Sequence, residues 1–345
     1  MGGESVFLAH PSSLDHDPGP HPERPARIRA IEAELEARDW LGYTRMQSPA
    51  AEWAAVEAVH PRRQVQALAE LSAAGGGQLD LDTAISRGSF QAALHAAGGA
   101  VRLAEMLVTG EAAVGFSAHR PPGHHALPLR AMGFCLFNNV AVAARHALDA
   151  LGLQRVLVLD WDVHHGNGTN DIFHATEEVL FVSIHQSPLY PGTGTASDAG
   201  SGPGEGFTVN LPVPAGSGDR EYAALMEQVV VPLTRAYAPQ LVLISAGYDA
   251  HAEDPLAGCE LSEEGFAGMS RAMAAVCREV GAPLGCVLEG GYAVKALARS
   301  VAATMEAIAQ PGSPAAAGGG TADASAPATP LSEAARARLA RWWRL

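Results

Sequence analysis

The side chains best suited to chemistry are concentrated in residues 156–170, which read VLVLDWDVHHGNGTN. Four apolar residues open this stretch and predict a buried parallel strand. Asp160, Asp162 and His164 follow at a spacing of two, and because side chains alternate along a strand, we expect all three on one face. Buried carboxylates are costly unless they are paired, hydrogen-bonded or bound to a metal. The stretch therefore predicts a metal site, with two glycines behind it that let the backbone turn away.

A catalytic zinc ion requires three protein ligands and one open position for water. Asp162 and His164 supply two ligands, and Asp249 is the candidate third because it follows another apolar segment that predicts a strand. Asp254 lies five residues further on and is either another ligand or an orienting group. Zinc lowers the pKa of water toward about 7 and polarises a carbonyl, which are the requirements of hydrolysis.

Two adjacent histidines, His124 and His125, follow a predicted strand and a Pro-Pro-Gly turn. Beside a metal, such a pair indicates a general base and a general acid. Asp160 is free to orient one imidazole, and Asn167 could hold the other without adding charge. Tyr292, after two glycines, can donate a hydrogen bond to a developing oxyanion. Each residue alone also has a purely structural reading, but together they indicate hydrolysis of an amide or a similar acyl bond.

The composition is that of a globular protein. The chain has 345 residues, of which 17% are charged and 48% hydrophobic. Its formal net charge of −14 argues against a nucleic-acid-binding surface over the whole protein, because phosphates would be repelled. The four cysteines show no CxxC spacing, which argues against disulfides and fits a reducing cytoplasm. No signal peptide and no membrane span are predicted, since no run approaches about 18 apolar residues.

Apolar periodicity predicts alternating strands and helices. The predicted strands cover residues 6–9, 114–118, 156–159, 179–184, 207–213, 240–246 and 284–288. The predicted helices begin near residue 25 and further cover 61–72, 89–109, 138–151, 221–237, 263–280 and 294–309. This alternation predicts an α/β fold with a central, mostly parallel sheet and helices on both faces. In such sheets the site lies beyond the carboxyl ends of the strands, where the candidate residues fall.

We expect one catalytic domain over residues 1–310 and a flexible linker over 311–330, where Pro, Gly, Ala, Ser and Thr dominate. Residues 331–345 carry four arginines and two tryptophans and predict a short amphipathic helix. That helix either docks back on the domain or contacts another subunit. The second alternative would make the protein a homo-oligomer.

Five motifs resemble the zinc-dependent histone deacetylase superfamily, in the same order, over residues 5–310. They are RPPGHHA (Arg120–Ala126), GFCLFNN (Gly133–Asn139), DWDVHHGNGT (Asp160–Thr169), SAGYDAHAEDPL (Ser245–Leu256) and LEGGY (Leu288–Tyr292). Trp161 and Asn167 look like the class II branch, which includes bacterial-type histone deacetylases and acetylpolyamine amidohydrolases. Class I is expected to have Asp at the Asn167 position.

The resemblance implies an arginase/deacetylase-type three-layer α/β fold with one zinc ion. The residues that match the zinc ligands are Asp162, His164 and Asp249. His125 matches the general base and acid, and His124, paired with Asp160, matches its electrostatic partner. Tyr292 matches the residue that polarises the acyl carbonyl.

The resemblance also implies an acyl-lysine tunnel and bound potassium. The residues that match the tunnel and its rim are Gly133, Phe134, Tyr190, Leu256, Gly290 and Gly291. Tyr190 stands where phenylalanine is common, so the tunnel is expected to differ in polarity. The first potassium site maps to Asp160, Asp162, His164, Ser183 and Ile184. The second maps, largely through backbone carbonyls, to Phe173, Thr176, Val179 and Phe207.

Three functions remain open. The first is removal of acetyl or other acyl groups from the ε-amine of lysine in proteins or peptides. We expect neither nucleic acid nor a membrane as a binding partner. The second is deacetylation of small amines such as acetylpolyamines, and the acidic protein would attract either cationic partner. The third is a non-catalytic acyl-lysine binder, which would require a broken site although every matched catalytic residue is intact. A dinuclear manganese ureohydrolase shares the architecture but would require more Asp and His ligands than we can place.

Overall fold

The computed structural model describes residues 3–309 and 326–345. Within these ranges the strands are β1 (Glu4–Ala9), β2 (Thr44–Gln47), β3 (Gly76–Gln78), β4 (Ala84–Ser86), β5 (Ala112–Ser117), β6 (Val156–Asp160), β7 (Val179–Gln186), β8 (Thr208–Val213), β9 (Leu241–Ala246) and β10 (Leu284–Leu288). The α-helices are α1 (Ala26–Glu36), α2 (Trp53–Glu57), α3 (Arg62–Ala73), α4 (Ser89–Thr109), α5 (Asn139–Asp149), α6 (Asn167–Phe173), α7 (Asp219–Leu225), α8 (Val231–Tyr237), α9 (Glu263–Val280), α10 (Val294–Ala309) and α11 (Pro330–Leu339). No helix in this described part of the chain is long and apolar enough to cross a membrane.

Eight of the strands form one parallel sheet in the order β2-β1-β5-β10-β9-β6-β7-β8, while β3 and β4 pair in a separate antiparallel hairpin. Apolar side chains alternate between the two faces of the sheet. On β6, Leu157 and Leu159 pack into one hydrophobic core with α1, α9 and α10, whereas Val156 and Val158 pack into a second core with α4 and α5. The predicted architecture of a parallel sheet between two helical layers is confirmed.

The sheet order brings the predicted functional segments together. The chain passes from β5 to β6, and β10 and β9 later fill the space between these two strands. The segments that carry His124–His125, Asp160–His164, Asp249 and Tyr292 therefore follow four neighbouring strands. This position, beyond the carboxyl ends of the strands where the strand order reverses, is the expected place for a site in an open α/β sheet.

Strand β6 covers the predicted residues 156–159 and one more, but it does not extend through Asp162 and His164. It stops at Asp160, so Asp162 and His164 lie in the following loop, and the prediction of one strand face for all three is wrong. Hydrogen bonds shape the loop instead, because Asp162 N–H donates to Asp160 Oδ1 at 3.1 Å and Val163 N–H donates to Asp249 Oδ1 at 2.9 Å. The carboxylates of Asp160 and Asp249 thus fix the backbone of the loop that carries Asp162 and His164.

Short elements and glycine-rich segments were predicted least well. Helix α6 begins directly after Gly166, where we expected only a turn. Helix α3 ends before three glycines at 75–77, as the predicted bounds of 61–72 require, but two of these glycines enter β3, which was not predicted. The helix predicted over 221–237 is divided by a π-helical turn at Met226–Val230, before Pro232, whose ring and missing N–H disrupt a regular helix. Elements as short as α2, β2 and β4 give little periodic signal.

The C-terminal helix packs on the main body of the chain. It ends at Leu339, before the predicted end, and Leu339 is 1% exposed. Beyond it, Trp343 Nε1–H donates to the Gly206 carbonyl at 2.8 Å. The first of the two alternatives, docking within one chain, is therefore what the structure contains. Of the predicted linker, residues 311–325 lie outside the described residues, and the domain boundaries stay a prediction.

Candidate active site

Three potential metal ligands converge beyond the carboxyl ends of β6 and β9. Asp162 and His164 lie in the loop after β6, and Asp249 lies in the loop after β9. One ligand atom from each lies within 4.8 Å of the others. His164 Nδ1 is 3.2 Å from Asp162 Oδ1 and 3.1 Å from Asp249 Oδ2. All three side chains are buried, so their charges are little screened by solvent.

The donor set fits zinc. Burial opposes a charged imidazole, but hydrogen bonds to Asp162 and Asp249 outweigh it and raise the pKa of His164 to about 10, so the position favours positive charge. One imidazole nitrogen and two carboxylates are ligand types of catalytic zinc sites. The backbone leaves room for them, since a Cβ on Gly247 would collide with Asp162 Oδ2 and one on Gly290 would collide with Asp249 Oδ2. Both positions therefore require glycine.

Two buried histidines lie beside this cluster, each bound to one acceptor. His124 Nδ1 is 2.9 Å from Asp160 Oδ2, and His125 Nδ1 is 2.7 Å from Asn167 Oδ1. Because the acceptors are a carboxylate and an amide oxygen, Nδ1–H donates in both pairs. The ring centroids of His125 and His164 are 5.9 Å apart, which places the imidazole pair next to the ligand cluster.

The two imidazoles differ in proton affinity. Burial lowers the pKa of His125 well below its usual value, and the neighbouring His124 and His164 lower it further. Burial also opposes charge on His124, but the carboxylates of Asp162 and Asp160 outweigh it and hold the pKa of His124 well above its usual value. Burial therefore favours the neutral form of His125, which can accept a proton, while the carboxylates favour the charged form of His124.

Tyr292 is fixed through both its backbone and its ring. Its N–H donates to Asp254 Oδ2 at 2.6 Å, and the same oxygen accepts the N–H of Ala293 at 3.0 Å. The guanidinium carbon of Arg27 lies 5.2 Å from the centroid of the Tyr292 ring. Of the two roles left open for Asp254, the structure shows the orienting one.

A pocket of about 210 Å³ opens onto these groups. The residues that line it are Asp82, His125, Gly133, Phe134, His164, Leu189, Tyr190, Leu256 and Tyr292. Gly133 has a φ of +57°, and a Cβ there would lie 2.5 Å from the His125 ring, so glycine lets the wall approach the imidazole.

Two glycines expected in the tunnel lie elsewhere. The N–H of Gly290 donates to Asp162 Oδ2 at 2.8 Å, and the carbonyl of Gly291 accepts from Arg27 Nε at 2.7 Å. Both therefore support the ligand cluster and the base of Tyr292 rather than the pocket lining. A Cβ on Gly290 would lie 2.2 Å from Asp249 Oδ2, and Gly291 has a φ of +120° with Leu297 close by, so neither glycine is explained by a substrate chain.

Asp162, His164 and Asp249 form a buried cluster of potential metal ligands beside two histidines and a tyrosine, and the sequence over residues 21–308 matches the family model of the histone deacetylase domain. The chain belongs to the histone deacetylase family. It is 40% identical over 294 residues to a probable deacetylase of Archaeoglobus fulgidus, which covers 84% of this chain and 81% of that protein. It is also 40% identical over 275 residues to a histone deacetylase-like amidohydrolase of Pseudomonas aeruginosa, covering 79% and 72% of the two chains.

The fold is also similar to that of a solved structure. The crystal structure of the HDA15 HD domain superposes with a TM-score of 0.90 at 33% identity, over 99% of this chain and 96% of that chain. The predicted family, the deacetylase-type α/β fold and the enzyme class, a deacetylase that acts on amides, are confirmed.

A second group of potential ligands in this deacetylase consists of His251, Glu253 and Glu263, and it does not fit a metal. His251 Nδ1 accepts the N–H of Glu253 at 3.0 Å, so the ring proton lies on Nε2, which then has no lone pair for a metal. Arg299 also donates to both carboxylates, to Glu253 at 2.7 Å and to Glu263. The guanidinium already supplies the positive charge that the two acids require.

The first set of residues expected to bind potassium lies toward the carboxyl ends of β6 and β7, whereas the second set lies near the amino ends of β7 and β8. Asp160 and Ser183 are paired across β6 and β7, which brings the first set together. In the second set, Phe173 ends α6, Val179 begins β7, and Phe207 directly precedes β8. Potassium binding itself stays a prediction.

Several residues of the deacetylase site were not predicted from the sequence. Asp82 and Leu189 line the pocket without belonging to any motif. Glu289 lies inside the LEGGY motif, and a carboxylate directly after a fully apolar strand was a signal that could have been used. Glu23, which precedes α1, and Arg27, in its first turn, form a buried ion pair at 3.0 Å, and their spacing of four residues at the start of a predicted helix was a further available signal.

Proposed function

We propose that this deacetylase hydrolyses the amide between an acyl group and the ε-amine of lysine in proteins or peptides. The observation that carries the proposal is a pocket lined at once by a neutral imidazole, a potential zinc ligand and a tyrosine, namely His125, His164 and Tyr292. Asp162, His164 and Asp249 would hold the zinc ion. When bound, zinc lowers the pKa of water and polarises a carbonyl, which is the chemistry that amide hydrolysis needs.

The protein side chains perform the proton transfers and orient the substrate. His125, kept neutral by burial, takes a proton from the attacking water and returns it to the leaving amine. Asn167 accepts the Nδ1–H of His125 and so makes Nε2 the basic nitrogen. His124, paired with Asp160, places a positive charge beside the developing negative charge. Burial holds the pKa of Tyr292 well above its usual value, so its hydroxyl stays protonated and donates to the carbonyl oxygen.

The pocket suits an unbranched aliphatic chain that ends in an amide. The Tyr190 ring lies 5.2 Å from the His125 ring at 87°, and the Phe134 ring lies 5.7 Å from the Tyr292 ring at 89°. These aromatic side chains offer apolar surface to the methylene groups of a lysine side chain. Asp82, also in the lining, adds an acceptor for N–H groups.

A polypeptide substrate is favoured over an acetylpolyamine by the surface beside the pocket. Leu81, the neighbour of Asp82, is fully exposed. A peptide that extends on both sides of the modified lysine could cover such an apolar side chain, whereas a slender polyamine offers little apolar surface for it. We also propose structural potassium ions at the two sets of residues described above.

The test is acyl release by the zinc-loaded enzyme, with an acetyl-lysine peptide and an acetylpolyamine offered in parallel. We expect the higher kcat/KM on the peptide, and we expect Leu81→Ser to lower kcat/KM on the peptide only. Cleavage of the polyamine alone would assign the enzyme to small amines. Absence of cleavage of either substrate, with zinc bound, would contradict the proposal.

A further inference from the structure

Glu289 is a buried carboxylate to which the chemistry above assigns no role. It directly follows β10, a strand in the interior of the sheet, and its side chain is inaccessible to solvent. A buried carboxylate is unfavourable unless hydrogen bonds replace its hydration. The hydrogen-bond partners of Glu289 therefore indicate its structural role.

Both oxygens of Glu289 are hydrogen-bonded. Oε2 accepts the N–H of Gly123 at 2.6 Å and the N–H of His124 at 3.1 Å. Oε1 accepts the hydroxyl of Ser245, the residue before the last of β9, at 3.1 Å. One carboxylate thus joins two central strands to two consecutive peptide units of the loop that carries the histidine pair.

The same loop is held from its other side by helix α6. The carbonyl of His124 accepts the N–H of Gly168 at 3.0 Å and the N–H of Thr169 at 3.2 Å. The peptide units around His124 are therefore fixed through their carbonyl by α6 and through their N–H groups by Glu289. Without Glu289, two buried N–H groups of consecutive residues in this loop lose their acceptor.

We propose that Glu289 is a positioning residue, which fixes the backbone of His124 and the following His125 so that the imidazole pair stays in register with the substrate. The proposal rests on the proposed deacylation. Catalysis by a positioned base depends steeply on distance, because the reacting atoms must meet in a narrow range of geometries. Glu289 acts through the loop and is not among the residues that line the pocket.

An acceptor oxygen, rather than a negative charge, is what this role requires. Burial raises the pKa of Glu289 to about 7. When the acid is protonated on Oε1, that hydroxyl can donate to Ser245 while Oε2 continues to accept both N–H groups. A glutamine side chain at this position would reproduce the arrangement, with its carbonyl oxygen facing Gly123 and His124 and its NH₂ group facing Ser245.

The test compares Glu289→Gln, Glu289→Leu and Ser245→Ala in the zinc-loaded full-length enzyme. We expect Glu289→Gln to keep most of kcat. Glu289→Leu should lower kcat by about 100-fold, the order of loss that a displacement of about 1 Å produces, with KM and zinc stoichiometry close to wild type. Ser245→Ala removes only the hydrogen bond to Oε1 and is expected to remain near wild type, which makes it the matched control.

Hydrogen–deuterium exchange of the 120–126 loop gives a readout that does not depend on turnover. Exchange should be faster in Glu289→Leu and unchanged in Glu289→Gln. A wild-type enzyme that releases no acyl group would refute the proposed function, while unchanged exchange in Glu289→Leu would refute the positioning role. A loss of kcat in Glu289→Gln as large as in Glu289→Leu would also overturn it, because the acceptor is then present. If Glu289→Leu does not fold, Glu289→Asp replaces it. The shorter side chain keeps the charge but is too short to accept both N–H groups. Wild-type kcat and wild-type exchange in Glu289→Asp would contradict the proposal.

Discussion

At the residue scale, two adjacent imidazoles acquire different properties because their Nδ1–H groups have different acceptors. His124 donates to the carboxylate of Asp160 and His125 to the amide oxygen of Asn167. Burial acts to lower the pKa of both imidazoles. At His124 the nearby carboxylates outweigh this effect and hold the pKa above its usual value, whereas at His125 the pKa is lowered. Only His125 is therefore suited to accept a proton, and the assignment of roles follows from the partners rather than from the His-His sequence.

Replacement of Tyr292 by phenylalanine should remove most turnover without removing zinc. The ring and its contact with Arg27 remain, but the hydroxyl that we propose as the donor to the carbonyl oxygen is lost. We expect kcat to fall by roughly 100-fold or more, the order found when one oxyanion donor is removed. Steady-state kinetics and elemental analysis measure both quantities. Unchanged activity would remove Tyr292 from the mechanism.

Replacement of Asp249 by alanine should abolish stoichiometric zinc binding, because it leaves only two of the three ligands. Glu263→Ala is the matched control, since it removes a carboxylate from the cluster that we consider unable to hold a metal. Elemental analysis should find near-stoichiometric zinc in the control and a large deficit in Asp249→Ala. Full zinc occupancy in Asp249→Ala would refute its role as a ligand.

The residue types at the site were largely predictable, but the hydrogen bonds that hold these residues in place were not. Asp160, Asp162, His164 and Asp249 stood out because charged side chains directly after apolar strands are rare and costly. Glu289 met the same criterion and was overlooked. Its significance depends on the N–H groups of a loop distant in sequence, and backbone partners leave no pattern in the sequence.

At the element scale, a buried ion-pair network fixes the segments on which the catalytic residues lie. Glu23 accepts from Arg27 at 3.0 Å and from Nη2 of Arg120 at 2.7 Å. Arg27 in turn donates to the carbonyls of Gly291 and Glu289, and Arg120 begins the loop that leads to His124. Burial opposes a charge on Glu23, but Arg120 and the hydrogen bond from His16 outweigh it and hold the pKa of Glu23 well below its usual value.

Glu23→Gln should destabilise the fold by about 3–5 kcal/mol, the cost of breaking a buried ion pair from one side. A carboxyl group whose pKa is depressed on folding stabilises the fold above its unfolded pKa of about 4.3 and loses this contribution as the pH falls below that value. Wild type and Glu23→Gln should therefore differ most near neutral pH and converge in acid. Urea unfolding at several pH values measures the difference.

Glu279→Gln provides the control for this experiment, because Glu279 forms an exposed pair with Arg235 and such pairs contribute little. Equal destabilisation by both substitutions would contradict a special role for the buried network.

The long elements were predicted closely, whereas the irregular ones depended on tertiary contacts. Helices α4, α9 and α10 have the predicted bounds because each presents a sustained apolar face. Asp162 and His164 were wrongly placed on the strand face of Asp160, because backbone N–H groups donate to the Asp160 and Asp162 carboxylates and form a loop there instead. Such local competition between side chain and backbone is not visible in a hydrophobic pattern.

At the scale of the whole molecule, the C-terminal segment returns to the edge of the sheet. Arg338 donates to the carbonyl of Asn210 on β8, an edge strand, at 2.8 Å. Trp343 lies across the Phe207 ring with centroids 5.3 Å apart. An uncovered edge strand can pair with another chain, so this contact protects the sheet as well as adding apolar burial. Oligomeric state and cytoplasmic location stay predictions.

Leu339→Ala should therefore destabilise the protein by about 3 kcal/mol, the cost of a cavity at a fully buried leucine. Arg341→Ala, at a side chain that is 71% exposed, should be close to neutral. Thermal and urea unfolding of the two variants measure the contrast. Equal stability of wild type and Leu339→Ala would show that the helix does not stay docked in solution.

We propose that zinc, held by Asp162, His164 and Asp249, makes this chain a lysine deacylase. The most direct measurement is acetate release from an acetyl-lysine peptide by metal-stripped enzyme before and after stoichiometric zinc is added. We predict no release from the stripped enzyme and full recovery at about one zinc per chain. Undiminished release from the stripped enzyme, or no release with zinc bound, would contradict the account.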